Sequence, residues 1–176
     1  MSEVYEKVKD KTRLVEKIEL FVPGFRGYKE KELRRESDRI IREYLLRKLN
    51  ASYEDFKGIM TFIAMTGNSA LFELYNQVQA VFDRIIVKLK TADYGYTGFF
   101  DAVKIEEPEL DRLIEFDYGL VEAVERITRR VAEVREAAIN GDAGKLVGAM
   151  SGLRGELMVF QDLLNKREDL LSGMGR

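Results

Sequence analysis

The chain has 176 residues, with 29 basic and 31 acidic side chains for a net charge of −2, and it contains no His or Cys and no Trp. These absences exclude a Ser-His-Asp triad, a cysteine nucleophile, a disulfide and the ligands of a zinc finger. The near balance of charge gives no sign of a polyanion-binding protein. From the length we expect one domain over residues 1–172 with a frayed tail at 173–176. We also expect a cytoplasmic protein without a membrane span, because the chain has no apolar leader and no membrane-length apolar run.

Apolar residues at three- and four-residue spacing predict helices along nearly the whole chain: 3–21, 29–49, 53–90 with a break at Gly67, 108–139 and 143–171. Asn50-Ala51-Ser52 is predicted to separate the second and third segments, with Ser52 as an N-cap. Pro108 suits the first turn of a helix. No strand pattern occurs. We therefore predict an all-α antiparallel bundle with a four-helix core and an extra N-terminal helix.

Two connections rich in aromatic residues are predicted to lie at the same end of this bundle, because consecutive helices alternate in direction. The connections are 22–28 and 91–107, and their aromatic residues are Phe25, Tyr28, Tyr94, Tyr96, Phe99 and Phe100. Exposed aromatic side chains favour a partner-binding surface. The alternative is that they fold back and close the open end of the core. The first interpretation predicts a working surface formed by 22–35 and 94–118.

Asp117 is the one acidic residue in the apolar seam of the helix 108–139. A carboxylate in such a position must be paired, hydrogen-bonded or protonated. We predict that Asp117 is buried against Arg34 or Arg35 of the second helix. The alternative is a Mg²⁺ site around Asp117 in an enzyme acting on nucleotides or phosphoesters. The i,i+3 glutamate pairs of this helix lie off the seam, so we expect no metal site, no cofactor and no catalytic residue.

Basic residues line one face of segment 26–42 and suggest an alternative function. A phosphate or a nucleic acid could bind there, through Arg26, Lys31, Arg34, Arg35 and Arg39. Glutamates are interleaved with these cations, however, and they argue against a groove for a polyanion. We therefore do not expect nucleic acid as a partner.

Four glycines fall on one face of the last helix: Gly144, Gly148, Gly152 and Gly155. Interior glycines at this number cost about 3–4 kcal/mol relative to alanine. Close packing of a second helix, from the N-terminus or from another subunit, would compensate for that cost. The alternative is a poorly formed first half of the helix.

The segment Pro23-Gly24-Phe25-x-Gly27-Tyr28, followed by Lys31-Glu32 and Arg34-Arg35, resembles the opening of a family of uncharacterised prokaryotic helical proteins. Residues 95–105 (GYTGFFDAVKI) resemble a second signature of that family. The resemblance implies an all-helical fold and no particular activity. Together with the seams, it leads us to expect a non-catalytic interaction or assembly protein that acts on a protein partner or on a second copy of itself.

Overall fold

The computed structural model describes residues 2–92 and 105–173. The helices are α1 (Ser2–Phe21), α2 (Arg34–Lys57), α3 (Met60–Thr66), α4 (Ser69–Thr91), α5 (Glu107–Ile139) and α6 (Ala143–Gly173), and a 3₁₀ turn (Lys31–Leu33) precedes α2. No strand occurs in these ranges, which confirms the predicted all-α class. None of the described helices is long and apolar enough to cross a membrane. The predicted tail begins at the last residue of α6, and 174–176 lie outside the described residues.

The predicted break at Gly67 is confirmed, and two residues explain it. Gly67 ends α3 in the left-handed conformation at φ 61°, which favours glycine. Asn68 then caps α4, because its Oδ1 accepts hydrogen bonds from the backbone N–H groups of Ala70 at 3.0 Å and Leu71 at 3.2 Å. The chain therefore needs only two residues to end one helix and begin the next.

The predicted junction at Asn50-Ala51-Ser52 is wrong. Helix α2 continues through these residues to Lys57. Ser52 is buried inside the helix, and its Oγ lies 3.2 Å from Thr128 Oγ1. A serine that finds a tertiary hydrogen bond has no need to cap a helix, and the buried face of α2 carries on from Leu49 to Phe56.

The chain divides into two compact units, and α2, α4, α5 and α6 contribute residues to both, α4 only through Thr91. Unit 1 comprises Met1–Leu45, Thr91–Glu122 and Leu163–Arg176, and unit 2 comprises Leu46–Lys90 and Ala123–Asp162. Unit 1 thus contains the described ends of both connections that the sequence placed together. The single domain expected over 1–172 stays a prediction.

In unit 1, α1 runs parallel to α5. Lys11 of α1 pairs with Asp111 of α5. Further toward the C-terminus of both helices, the Lys17 ammonium lies 5.4 Å from the centre of the Tyr118 ring. The segment between α1 and α2 turns back along this pair, because a side chain at Gly27 would meet both Val15 and Ile114. The connection from α1 to α2 is therefore part of the packed interior of unit 1.

In unit 2, aromatic stacking joins α2 to α4. The rings of Phe56 and Tyr75 are 4.8 Å apart, and those of Tyr53 and Phe82 are 5.0 Å apart. Helix α6 returns antiparallel to α5 after the turn at Gly141, which has φ 69°.

Candidate functional site

A buried cluster of charged residues lies in unit 1, with Asp117 at its centre. Arg167 Nε donates to Asp117 Oδ1 at 2.6 Å, and the Tyr28 hydroxyl donates to Asp117 Oδ2 at 2.5 Å. Arg167 Nη2 also donates to Asp38 Oδ1 at 2.7 Å, and Arg42 Nε donates to Asp38 Oδ2 at 2.8 Å. We call these five residues the charge cluster.

The charge cluster is buried but internally balanced. Asp117 is 0% exposed and Arg167 is 1% exposed. Two carboxylates face two guanidinium groups, and all four carboxylate oxygens accept a hydrogen bond. Removing ions from water costs several kcal/mol for each ion, and only close pairing with full hydrogen bonding offsets this cost. The geometry is therefore that of buried, fully hydrogen-bonded ion pairs with a structural role.

Burial and charge shift the proton affinities of the charge cluster in a consistent way. Burial raises the pKa of the Tyr28 phenol well above 10.0, and the neighbouring Asp117 raises it further. Burial also raises the pKa of Asp117, although Arg167 opposes that shift. Burial alone would lower the pKa of Arg167, but Asp117, Tyr28 and Asp38 raise it well above its ordinary value. The phenol thus stays protonated as a donor, and the guanidinium stays charged.

The glycine-rich connection places Tyr28 in the charge cluster. Gly27 adopts φ 73°, and a Cβ there would lie 3.2 Å from Val15 Cγ2, so both the conformation and the close approach favour glycine. Ser37 Oγ donates to the Gly27 carbonyl, and Arg34 Nε donates to the Tyr28 carbonyl, each at 2.7 Å. The start of α2 therefore holds the connection in place through two side chains.

The structure corrects the predicted partner of Asp117. Among the described residues its cation is Arg167 of α6, and not Arg34 or Arg35 of α2. Arg34 is buried, but its Nε is used by a carbonyl group, and Arg35 is exposed. The geometry does not favour the alternative of a Mg²⁺ site around Asp117, because both carboxylate oxygens of Asp117 already accept hydrogen bonds from Arg167 and Tyr28. Within the described ranges no group of three or more acidic residues could hold a metal ion.

The predicted aromatic surface is corrected where the structure describes it. Phe25 and Tyr28 are both completely buried, with ring centres 5.7 Å apart in an edge-to-face arrangement. They fill the interior of unit 1, as the alternative interpretation held, and they offer no contact area to a partner. Tyr94, Tyr96, Phe99 and Phe100 lie outside the described residues.

The predicted anion-binding face is broken up by local pairing. Arg34 is buried, and Arg39 lies between Glu36 at 2.6 Å and Glu43 at 2.8 Å. An arginine that is paired with two carboxylates produces little positive electrostatic potential, so it attracts an anion only weakly. Arg26, Lys31 and Arg35 are the members of the set that are exposed, apart from the paired Arg39.

The glycine face of α6 makes no close helix packing with the residues that the structure describes. A Cβ at Gly148 or at Gly155 would meet nothing within 4 Å, and at Gly144 it would meet only Asp142 of the preceding turn. At Gly152 the neighbour is the flexible guanidinium of Arg130, at 3.7 Å. Helix α6 is nevertheless continuous through all four positions, which also excludes a poorly formed first half. Packing of this face against a second subunit stays a prediction.

An open apolar cleft lies in unit 2, in a region where the sequence analysis placed no site. The cleft has a volume of about 450 Å³, and Ile59, Phe62, Met65, Ala138 and Ile139 supply its apolar lining. Met65 and Ile139 are each 80% exposed, whereas Ile59 and Ala138 are buried. Large apolar side chains that flank a recess in this way are typical of an interaction surface.

The rim of the cleft is polar and electrically neutral. Arg135 pairs with Asp55 at 3.0 Å, and Lys57 pairs with Glu54 at 2.6 Å. This site was not predicted, because helical spacing alone does not show which apolar residues stay exposed. The signal for it was the pair Met65 and Ile139, which are apolar residues within two positions of the glycine or asparagine that follows their helices.

No family model, no curated protein and no solved structure matches the chain.

Proposed function

We propose that this is a non-catalytic assembly protein that forms a homodimer through the cleft of unit 2. The observation that carries the proposal is the exposure of Met65 and Ile139, each 80%, beside an apolar recess of about 450 Å³. Their burial in a partner would remove from water the most exposed apolar side chains of this unit, at roughly 1.5–3 kcal/mol each.

A second copy of the chain suits this cleft better than a charged partner does. An isologous interface needs a patch that is complementary to itself, with a protrusion and a recess on the same surface. The cleft offers both, since Met65 protrudes next to the recess lined by Ile59 and Ala138. The rim is neutral, because its acids are paired with Arg135 and Lys57, and two such rims would not repel each other.

This proposal moves the working surface away from 22–35 and 94–118. The described aromatic residues of that surface are interior, and the charge cluster next to them has its carboxylate oxygens in use. The rest of the function stays as the sequence suggested: a protein that binds a copy of itself and not a substrate. A cytoplasmic location is part of the proposal and agrees with the cysteine-free composition.

The test is the mass in solution of the protein and of two single variants. At about 100 µM, where an interface of about 5.5 kcal/mol is half assembled, the wild type should show mass above that of the 20.3 kDa monomer. Met65→Lys and Ile139→Lys should both give monomers in light scattering after size exclusion, because each places a charge at the apolar contact. Exposed positions tolerate such changes within about 0.5 kcal/mol of folding stability.

Leu20→Lys is the matched control, since Leu20 is an apolar residue of α1 with 83% exposure. It should leave the dimer intact. A monomeric wild type, or equal dissociation by Leu20→Lys, would refute the proposal. A dimer that survives both cleft substitutions would place the interface elsewhere, with the glycine face of α6 as the next surface to substitute.

A further inference from the structure

A small pocket in unit 1 combines basic side chains with an apolar wall. Its volume is about 200 Å³, and α1, the connection to α2, and α5 all contribute to its lining. This volume lies below the 300–1,000 Å³ of typical drug-sized sites, so the pocket suits a compact ligand. It is separate from the cleft of unit 2 in every lining residue.

Arg26 and Lys29 give the pocket its positive charge. Both residues are exposed and line it, and neither forms an ion pair or a hydrogen bond with another described residue. Lys11 also lines the pocket, but its charge is compensated by Asp111. A guanidinium and an ammonium that converge on one recess can bind an oxyanion, the guanidinium through two parallel N–H groups and the ammonium as a point charge.

The opposite wall of the pocket is apolar and rigid. Val15 and Ile114 supply aliphatic surface, and the neighbouring Tyr28 is completely buried, with its hydroxyl bound to Asp117. Gly27 lies between them, with Val15 at 3.2 Å and Ile114 at 3.8 Å from its would-be Cβ. A side chain at this position would occupy the pocket, so the glycine keeps it open.

We propose that this pocket binds a small organic oxyanion, with the phosphate or carboxylate group at Arg26 and Lys29 and a compact apolar body against Val15 and Ile114. Glu16 is the one acidic side chain in the lining, and it opposes the two cations. The net positive charge of the pocket is therefore small, and the expected affinity is modest. The same opposition supplies a variant that should bind more tightly.

The test is a titration of the ¹⁵N-labelled full chain with phenyl phosphate, benzoate and phenol, followed through the amide signal of Gly27. At least one of the two anions should shift this signal saturably, and uncharged phenol should not at the same concentration. Arg26→Ala/Lys29→Ala should weaken binding by about tenfold or more, since charge-assisted hydrogen bonds are lost. Glu16→Gln should tighten it by about twofold.

Lys31→Ala/Arg112→Ala is the matched control, because it removes the same charge from exposed residues that do not line the pocket. Binding should be unchanged in this variant. Absence of saturable binding by both anions would overturn the proposal, as would equal binding of phenol or an equal loss in the control. None of these results depends on the dimer proposed for unit 2, which the mass measurements test separately.

Discussion

Replacing Arg167 by methionine removes the cation that reaches both carboxylates of the charge cluster. In the variant Asp38 keeps Arg42 at 2.8 Å, whereas among the described residues Asp117 keeps only the hydroxyl of Tyr28. Removing one partner of a buried ion pair costs about 3–5 kcal/mol, because it leaves an uncompensated charge in the interior. We expect Arg167→Met to fall in this range. Arg42→Met should cost clearly less, since Asp38 then keeps Arg167 at 2.7 Å.

The pH dependence separates an unpaired charge from lost packing. Burial already raises the pKa of Asp117 above 3.8, and without Arg167 nothing of comparable strength opposes the shift. A folded-state pKa above the unfolded value means that the native state binds more protons, so stability falls as pH rises through that window. The cost of Arg167→Met should therefore be smaller at pH 5 than at pH 7.

Urea unfolding followed by circular dichroism at both pH values measures these differences. Arg167→Met/Asp117→Leu should recover much of the loss, because no charge is then left unpaired at Asp117. A cost below about 1 kcal/mol for Arg167→Met would refute the reasoning. So would a cost that is the same at both pH values, or a double variant that is no more stable than the single one.

Three further predictions concern single residues. Because burial raises the pKa of Tyr28 above 10.0, the native state keeps a proton that the unfolded state releases above pH 10, so this group should lower the free energy of unfolding by up to about 1.4 kcal/mol per pH unit there. In urea unfolding, Tyr28→Phe should show a dependence of this free energy on pH that is smaller by that amount. Gly148→Ala should stabilise the protein by about 0.5–1 kcal/mol in thermal unfolding, because the added Cβ would meet no other atom, whereas Gly141→Ala should destabilise it, because φ is 69° there. A change of the same sign in both variants would contradict the backbone conformations given for these two glycines. Asn68→Ala should cost about 1 kcal/mol through loss of the α4 cap, and Asn68→Asp should retain most of the stability.

The long helices could be predicted from the sequence because apolar residues recur at three- and four-residue spacing along almost their whole length, with only Asp117 and Arg167 as charged exceptions. The predicted ranges 108–139 and 143–171 compare with Glu107–Ile139 and Ala143–Gly173 in the structure. The end of α2 could not be predicted in the same way. Ser52 is a good N-cap by type, and only the tertiary hydrogen bond to Thr128 shows that it is interior.

The partner of Asp117 lay within reach of sequence reasoning. The turn at Gly141 makes α5 and α6 antiparallel, so residues equally far from it on either side face each other. Arg126 and Glu156 form such a pair at 3.0 Å, and Leu163 faces Gly119. By this rule Asp117 lies less than one turn from Arg167, which interrupts the apolar seam of α6 between Leu164 and Leu171. Two seam charges of opposite sign at matching positions predict a buried pair, whereas the arginines of α2 match Asp117 only in lying at the same end of the predicted bundle.

The exposure of individual apolar residues could not be predicted from the local sequence. Tyr28 and Phe25 stand in a polar, glycine-rich connection and are fully buried, whereas Met65 and Ile139 lie in the last turns of α3 and α5 and are exposed. The connection folds inward because the hydroxyl of Tyr28 meets a carboxylate that requires a donor. Met65 and Ile139 lie beside the cleft at 80% exposure, close to the turns at Gly67 and Gly141, whose glycines have no side chain. The hydrogen bond from the Tyr28 hydroxyl to Asp117 thus accounts for the burial of aromatic residues in a polar connection. Met65 and Ile139 have no such polar anchor and stay exposed, and for this reason we place the proposed dimer surface in unit 2.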